Sequence, residues 1–150
     1  RSGAAGLGIL MSCFGGGLFA GSLLLSIGHG RRERSVALTG FALIGLAFPV
    51  IALSPWLSAA GLGLAAVGIG LSIVNITLIT LFQKLLDDAT RGKIMALVTA
   101  LALSLQPVAY GVMGLITDAL KPSGALLASG AVILLVTLRI ATLKELRELG

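Results

Sequence analysis

The sequence predicts an all-α fold, a polytopic membrane helix bundle of five transmembrane helices. Three observations predict it. The chain is 57% hydrophobic and only 11% charged, where a soluble domain carries about 25% charged residues. Its mean hydropathy is +1.07. Charged clusters and one uncharged turn, Ser54-Pro55-Trp56, divide the chain into five apolar runs, each approaching or exceeding the roughly 18 residues that cross the hydrocarbon core. The runs lack the polar–apolar alternation of barrel strands. Lipid offers no partner to a free N–H or C=O, so each run must satisfy its backbone internally, as a helix does.

The first span covers 4–27, with Gly15, Gly16 and Gly17 followed by Gly21. Gly17 and Gly21 form a Gly-x-x-x-Gly pair, whose expected use is close packing on a neighbouring helix. Gly68 with Gly70, and Gly111 with Gly114, carry the same expectation. A basic loop, His29-Gly30-Arg31-Arg32-Glu33-Arg34, leads to the second span, 36–53. Ser54-Pro55-Trp56 is an uncharged turn before the third span, 57–82. The loop 83–93 holds Lys84, Asp87, Asp88, Arg91 and Lys93. The fourth span, 94–117, ends in a turn over 118–124 around Lys121 and Pro122, and the fifth covers 125–140. The remainder, 141–150, is a polar tail. Pro49 and Pro107 lie inside spans; each removes a backbone donor, so each is expected to bend its helix.

Basic residues set the orientation. Arg31, Arg32 and Arg34 lie in the first loop, Lys84, Arg91 and Lys93 in the third, and Arg139, Lys144 and Arg147 towards the C-terminus. The second loop has none and the fourth only Lys121. The positive-inside rule places the rich segments in the cytoplasm, the N-terminus outside, and Trp56 at the outer interface. The net charge of +5 is thus topogenic, and nucleic acid is not an expected partner; the lipid bilayer is.

Enzyme chemistry finds little to work with. One cysteine, Cys13, and one histidine, His29, give neither a disulfide framework nor a metal site. There is no Gly-x-Ser-x-Gly, His-Glu-x-x-His or P-loop. No catalytic residue, cofactor or metal is expected. No charge lies in the middle of a span, and intramembrane acids are the usual markers of proton relays; a proton-coupling acid would belong elsewhere in a longer protein.

Uncharged polar residues are uneven along the spans. Thr99, Gln106, Tyr110 and Thr117 share one helical face of the fourth. Ser12, Gly15, Phe19, Ser22 and Ser26 share a face of the first, and Gly68, Ser72 and Asn75 a face of the third. Such stripes are unfavourable against lipid, so they are expected to face protein or a water-filled cavity. Two readings stand. In one, Asn75, Gln106 and Tyr110, with Thr99 and Ser72, line a substrate path gated by a bend at Pro107. In the other, they only hydrogen-bond between helices, the commoner use of Ser and Thr.

The chain resembles the C-terminal half of a major facilitator superfamily transporter, of the macrolide-efflux and enterobactin-exporter type. Gly21 through Arg32, ending in Gly30-Arg31-Arg32, resembles that superfamily's basic loop, with Ile27 where the family has an acid. Leu81 through Leu97, with Gln83, the pair Asp87-Asp88 and then Arg91-Gly92-Lys93, resembles its later cytoplasmic loop. Gln106-Pro107 through Gly111 and Gly114 to Asp118 is similar to the penultimate helix of such exporters.

The resemblance implies helices eight to twelve of twelve. It implies alternating access with proton-coupled efflux (antiport) of a small amphipathic drug or siderophore. It also implies a bacterial inner-membrane location, cavity-lining roles for the first, third and fourth spans, and a cytoplasmic gate that includes Gly30, Arg31, Arg32, Asp87, Arg91, Gly92 and Lys93. The odd span count and the start at Arg1 fit a fragment whose main partner is the transporter's N-terminal half. A non-transport membrane scaffold and an ABC-type permease subunit are the alternatives.

Overall fold

The computed structural model describes residues 3–27, 33–54 and 56–142. Gly30, Arg31 and Arg32 of the first loop, Pro55, and the tail beyond Thr142 lie outside the described residues. Within them, α1 is Gly3–Ile27, α2 Glu33–Leu53 and α3 Leu57–Leu85. The last helical stretch, Asp88–Thr142, is two helices meeting at Lys121. Its arms Thr90–Ala119 and Lys121–Thr142 are α4 and α5. All five helices are long and apolar enough to cross a membrane, and the fold is all-α.

Large apolar side chains face outward, among them Phe19, Leu53, Leu62, Leu115 and Leu138. Among the described residues no large side chain is fully buried. A water-soluble monomer does not sustain so much exposed apolar surface. The chain is a membrane-embedded helical protein.

What is buried is small. In α1 the buried residues are Gly6, Gly17 and Gly21. In α3 they include Gly61, Gly63, Gly68, Gly70 and Ser72. Hydrophobic burial does not drive helices together in lipid, so backbones must come close enough for dispersion to accumulate. A β-carbon at Gly21 would stand 2.8 Å from the Ile69 carbonyl oxygen, and one at Gly68 2.9 Å from the Leu18 nitrogen. Gly17 lies against the Ala65 backbone. On the other side of α3, a β-carbon at Gly70 would stand 2.7 Å from the Gly40 oxygen of α2. Ile44 and Ala47 of α2 close this seam with Val67 and Val74 of α3, flanked by Phe41, Phe48 and Ile51.

The pairings fix direction. Cys13 meets Gly61, Gly17 meets Ala65 and Gly21 meets Ile69, so the contacts advance together along α1 and α3, which run parallel. Gly40 meets Gly70 and Ile51 meets Gly63, so α2 runs antiparallel to α3. Gly45 meets Leu134 and Pro49 meets Gly130, so α5 is antiparallel to α2. The in-plane order is α1–α3–α2–α5. The C-terminal ends of α1, α3 and α5 therefore share one end of the bundle, which carries Lys84, Arg91, Lys93 and Arg139; Trp56 and Lys121 lie at the other.

Pro49 has no N–H to give the Gly45 carbonyl one turn back. The α5 backbone covers that position: a β-carbon at Gly130 would stand 3.1 Å from the Gly45 oxygen and 2.9 Å from the Pro49 ring. Here the proline is a docking site for another helix.

Four sequence expectations need correction. The connection between the third and fourth spans is far shorter than 83–93. Helix continues through Leu85 and resumes at Asp88, because Gln83 and Lys84 are good helix formers once clear of the hydrocarbon. The broad turn over 118–124 reduces to one residue, Lys121. The break in this stretch is there rather than at Pro107, where the backbone keeps helical angles. The residue before a proline is biased away from the α region; Lys121, before Pro122, leaves it, whereas Gln106, before Pro107 and deep within its span, keeps helical angles. Finally, Gly111 and Gly114, expected to pack, meet nothing: a β-carbon at either would have no neighbour within 4 Å.

Substitution tests this packing. Gly21→Ala or Gly68→Ala should destabilise the chain by about 1–3 kcal/mol in detergent unfolding, whereas Gly16→Ala, where a β-carbon would meet no neighbour within 4 Å, should not. Lys121 sits in a region of backbone space that glycine alone occupies comfortably, at a cost of about 1–3 kcal/mol. Lys121→Gly should therefore raise stability by about 1 kcal/mol in the same assay.

Candidate functional site

The residues expected to line a path separate into two groups. Ser72 is buried in the α1–α3 seam, its β-carbon 2.9 Å from where one at Gly21 would be. It belongs to helix packing, not to an open cavity. Asn75, one turn further along α3, is exposed. Thr99, Gln106 and Tyr110 of α4 are all exposed, Tyr110 at 71%. The packed pairs are α1 with α3, α2 with α3 and α2 with α5; α4 does not pack along α3. The structure therefore does not gather Ser72 and Asn75 with Thr99, Gln106 and Tyr110.

Hydroxyl groups behave differently from the expectation of interhelical bonds. Ser22 donates to the Phe19 carbonyl at 2.8 Å and Ser26 to Leu23 at 2.8 Å. Thr77 donates to Ile73 at 2.7 Å, Ser104 to Ala100 at 2.8 Å, Thr117 to Met113 at 2.7 Å and Thr137 to Ile133 at 2.7 Å. Each acceptor lies three or four residues back on the same helix, a geometry in which a short hydroxyl hides itself from lipid without a second helix. This accounts for Ser22 and Ser26 on the polar face of α1, where Phe19 points outward and the packing face is Gly17 and Gly21. It also removes Thr117 from the α4 stripe.

What remains on α4 is distinctive. Among the described residues, α4 has no buried residue, and no hydrogen bond engages Thr99, Gln106 or Tyr110. The Gln106 amide and the Tyr110 phenol stand on side chains too long to fold back onto their own turn as the serines and threonines do. In hydrocarbon an unpaired amide or hydroxyl costs a few kcal/mol.

At the end that carries Lys84, Lys93 and Arg139, Arg91 does something its place in a charged loop did not reveal. Its guanidinium reaches back across the turn from α4 to α3 and donates to the Gln83 carbonyl at 2.8 Å and, more weakly, to Leu86 at 3.4 Å. The carbonyls at a helix C-terminus have no intrahelical donor and carry partial negative charge, so a cation is well placed there. The Asp87 carbonyl in turn accepts the Thr90 and Arg91 amides at 3.0 and 2.9 Å, starting α4. Arg91 thus clamps two helix ends into a tight turn. Asp87 and Lys93 are exposed, and Gly92 has open space around it.

Comparison of the chain with family models, with curated proteins and with solved structures finds no match.

Arg91→Ala should leave the α3 end uncapped. Amide exchange over residues 82–86 should quicken, with a loss of about 1 kcal/mol; Arg91→Lys should recover only part of it, since a single ammonium cannot copy the fork of the guanidinium.

Proposed function

We propose that this chain is part of a secondary transporter, corresponding to helices eight to twelve of a major facilitator type exporter. It contributes one side of a path for a small amphipathic molecule, moved by alternating access against a second half of the same protein, with proton-coupled efflux of a drug or siderophore as the direction the resemblance favours. The carrying observation is α4: a helix long and apolar enough to span the membrane, with Gln106 and Tyr110 on one exposed face, while the other four pack among themselves. A wall between a helical scaffold and a watery path has this character. Asn75 belongs to the same reading; Ser72 no longer does.

The gathering of Lys84, Arg91, Lys93 and Arg139 at one end supports an inner-membrane orientation with that end in the cytoplasm. The two-residue connection Leu86–Asp87 has no room for a coupling helix, which speaks against an ABC-type permease at that loop. A packing scaffold is the second reading, favoured by the self-satisfied hydroxyls on α1, α3 and α5.

Cysteine accessibility separates the two. In the full chain in vesicles, Gln106→Cys and Asn75→Cys should react with a membrane-impermeant maleimide from the aqueous phase. If neither reacts under any condition, the path reading fails and the scaffold stands.

A further inference from the structure

Two prolines interrupt hydrogen-bond ladders in this chain, and their surroundings differ. Pro49 of α2 withholds a donor from the Gly45 carbonyl, and that carbonyl lies under the α5 backbone at Gly130. Pro107 of α4 likewise withholds a donor from the carbonyl of Leu103, four residues back. No other helix covers that position: Leu103 is 59% exposed, and α4 has no buried residue among those described. Membrane-embedded backbone is tolerated without its partner only where protein, water or a ligand supplies one.

Leu103 also stands in register with the polar stripe. Thr99, Leu103, Gln106 and Tyr110 follow at steps of four, three and four, so the freed carbonyl emerges on the face that bears the Gln106 amide and the Tyr110 phenol. Ser104, the nearest hydroxyl, is committed to the Ala100 carbonyl at 2.8 Å. The charged residues of α4, Arg91, Lys93 and Asp118, lie at its ends. The centre of the strip is therefore neutral, and its one fixed backbone group is an acceptor with no donor.

We propose that this strip seats an uncharged amphipathic molecule that donates a hydrogen bond, from an amide N–H or a hydroxyl, to the Leu103 carbonyl, with Gln106 and Tyr110 holding its remaining polar atoms. The proposal rests on the reading of α4 as a path wall and names the substrate chemistry of that wall. A carboxylate is disfavoured, because the carbonyl repels it and, among the described residues of α4, the cations Arg91 and Lys93 lie at its far end. A donor-free neutral analogue leaves the acceptor bare.

The test uses the full chain in liposomes, labelled with carbonyl-13C leucine and 15N serine. The Leu103–Ser104 signal is assigned by its loss in Ser104→Ala. Three probes of equal chain length are titrated: decanamide, N,N-dimethyldecanamide, which lacks the N–H, and decanoate. Decanamide should move the Leu103 carbonyl signal saturably, with the dimethyl compound at least about tenfold weaker and decanoate without effect. Pro107→Ala, which restores the helix's own donor, should abolish the response.

Equal responses to the two amides, a stronger response to decanoate, or an unaltered response in Pro107→Ala would each overturn the proposal. So would a Leu103 signal that shifts with protein-to-lipid ratio alone, which would assign the face to a second copy of the chain. The comparison of the two amides needs no variant to fold. If Gln106→Cys is open to water and the Leu103 signal never moves, the donor proposal falls while the path reading survives; if neither Gln106→Cys nor Asn75→Cys is open to water, the path reading itself has failed.

Discussion

The close approach of backbones on both faces of α3 is the constraint from which the rest of the bundle follows. Because Gly61, Gly68 and Ser72 meet α1 while Gly63, Gly70 and Val74 meet α2, one helix holds two neighbours at distances that a β-carbon would forbid. Lipid competes for every large side chain on equal terms, so the bundle cannot be held by sequestering leucine as a soluble core is. It is held by dispersion between flat surfaces, and flatness comes from glycine. The exposed leucines and the buried glycines are two aspects of one arrangement.

That arrangement also decides what polar groups can do. A short hydroxyl turns to its own helix whether or not a neighbour packs there: Thr77, buried in α3, donates to the Ile73 carbonyl, as Ser104 of α4 does to Ala100. Ser72 survives in the seam because it is barely larger than alanine. Longer polar side chains, Gln106 and Tyr110, occur where there is no seam at all. The division between packing polarity and path polarity is thus a matter of side-chain length as much as of position, and a count of polar residues per span does not reveal it.

The five spans and their alternating direction were readable in the apolar runs and the basic clusters, since both signals are local. Gly17 and Gly21 were readable as a packing face, because their spacing repeats the helix. The partner of that face was not: nothing in the order of residues says that α1 lies beside α3, with α2 on the far side. Gly111 and Gly114 carry a similar small-residue signal and meet nothing, which shows that such a signal is permissive and that the facing surface completes it. The tight turn at Leu86–Asp87 was hidden because polar residues outside a span read equally well as loop or as helix, and only the clamp by Arg91 distinguishes them. Lys121 was legible as a turn residue but not as its entire extent; the ring of Pro122 acts on one residue alone.

Contacts that skip a neighbour have a bearing on how such a chain is built. α3 and α4 can close their turn as soon as both have been made, since Arg91 and the carbonyls it grips are adjacent in sequence. The glycine face of α1 has no such early partner. It must wait, exposed to lipid or shielded by the insertion machinery, until α2 has crossed and α3 has followed it into the bilayer; α2 in turn presents Gly45 and Pro49 to nothing until α5 arrives. Assembly of the bundle is therefore delayed relative to synthesis. A nascent chain halted after α2 would hold two inserted helices, each with its docking face still unmatched.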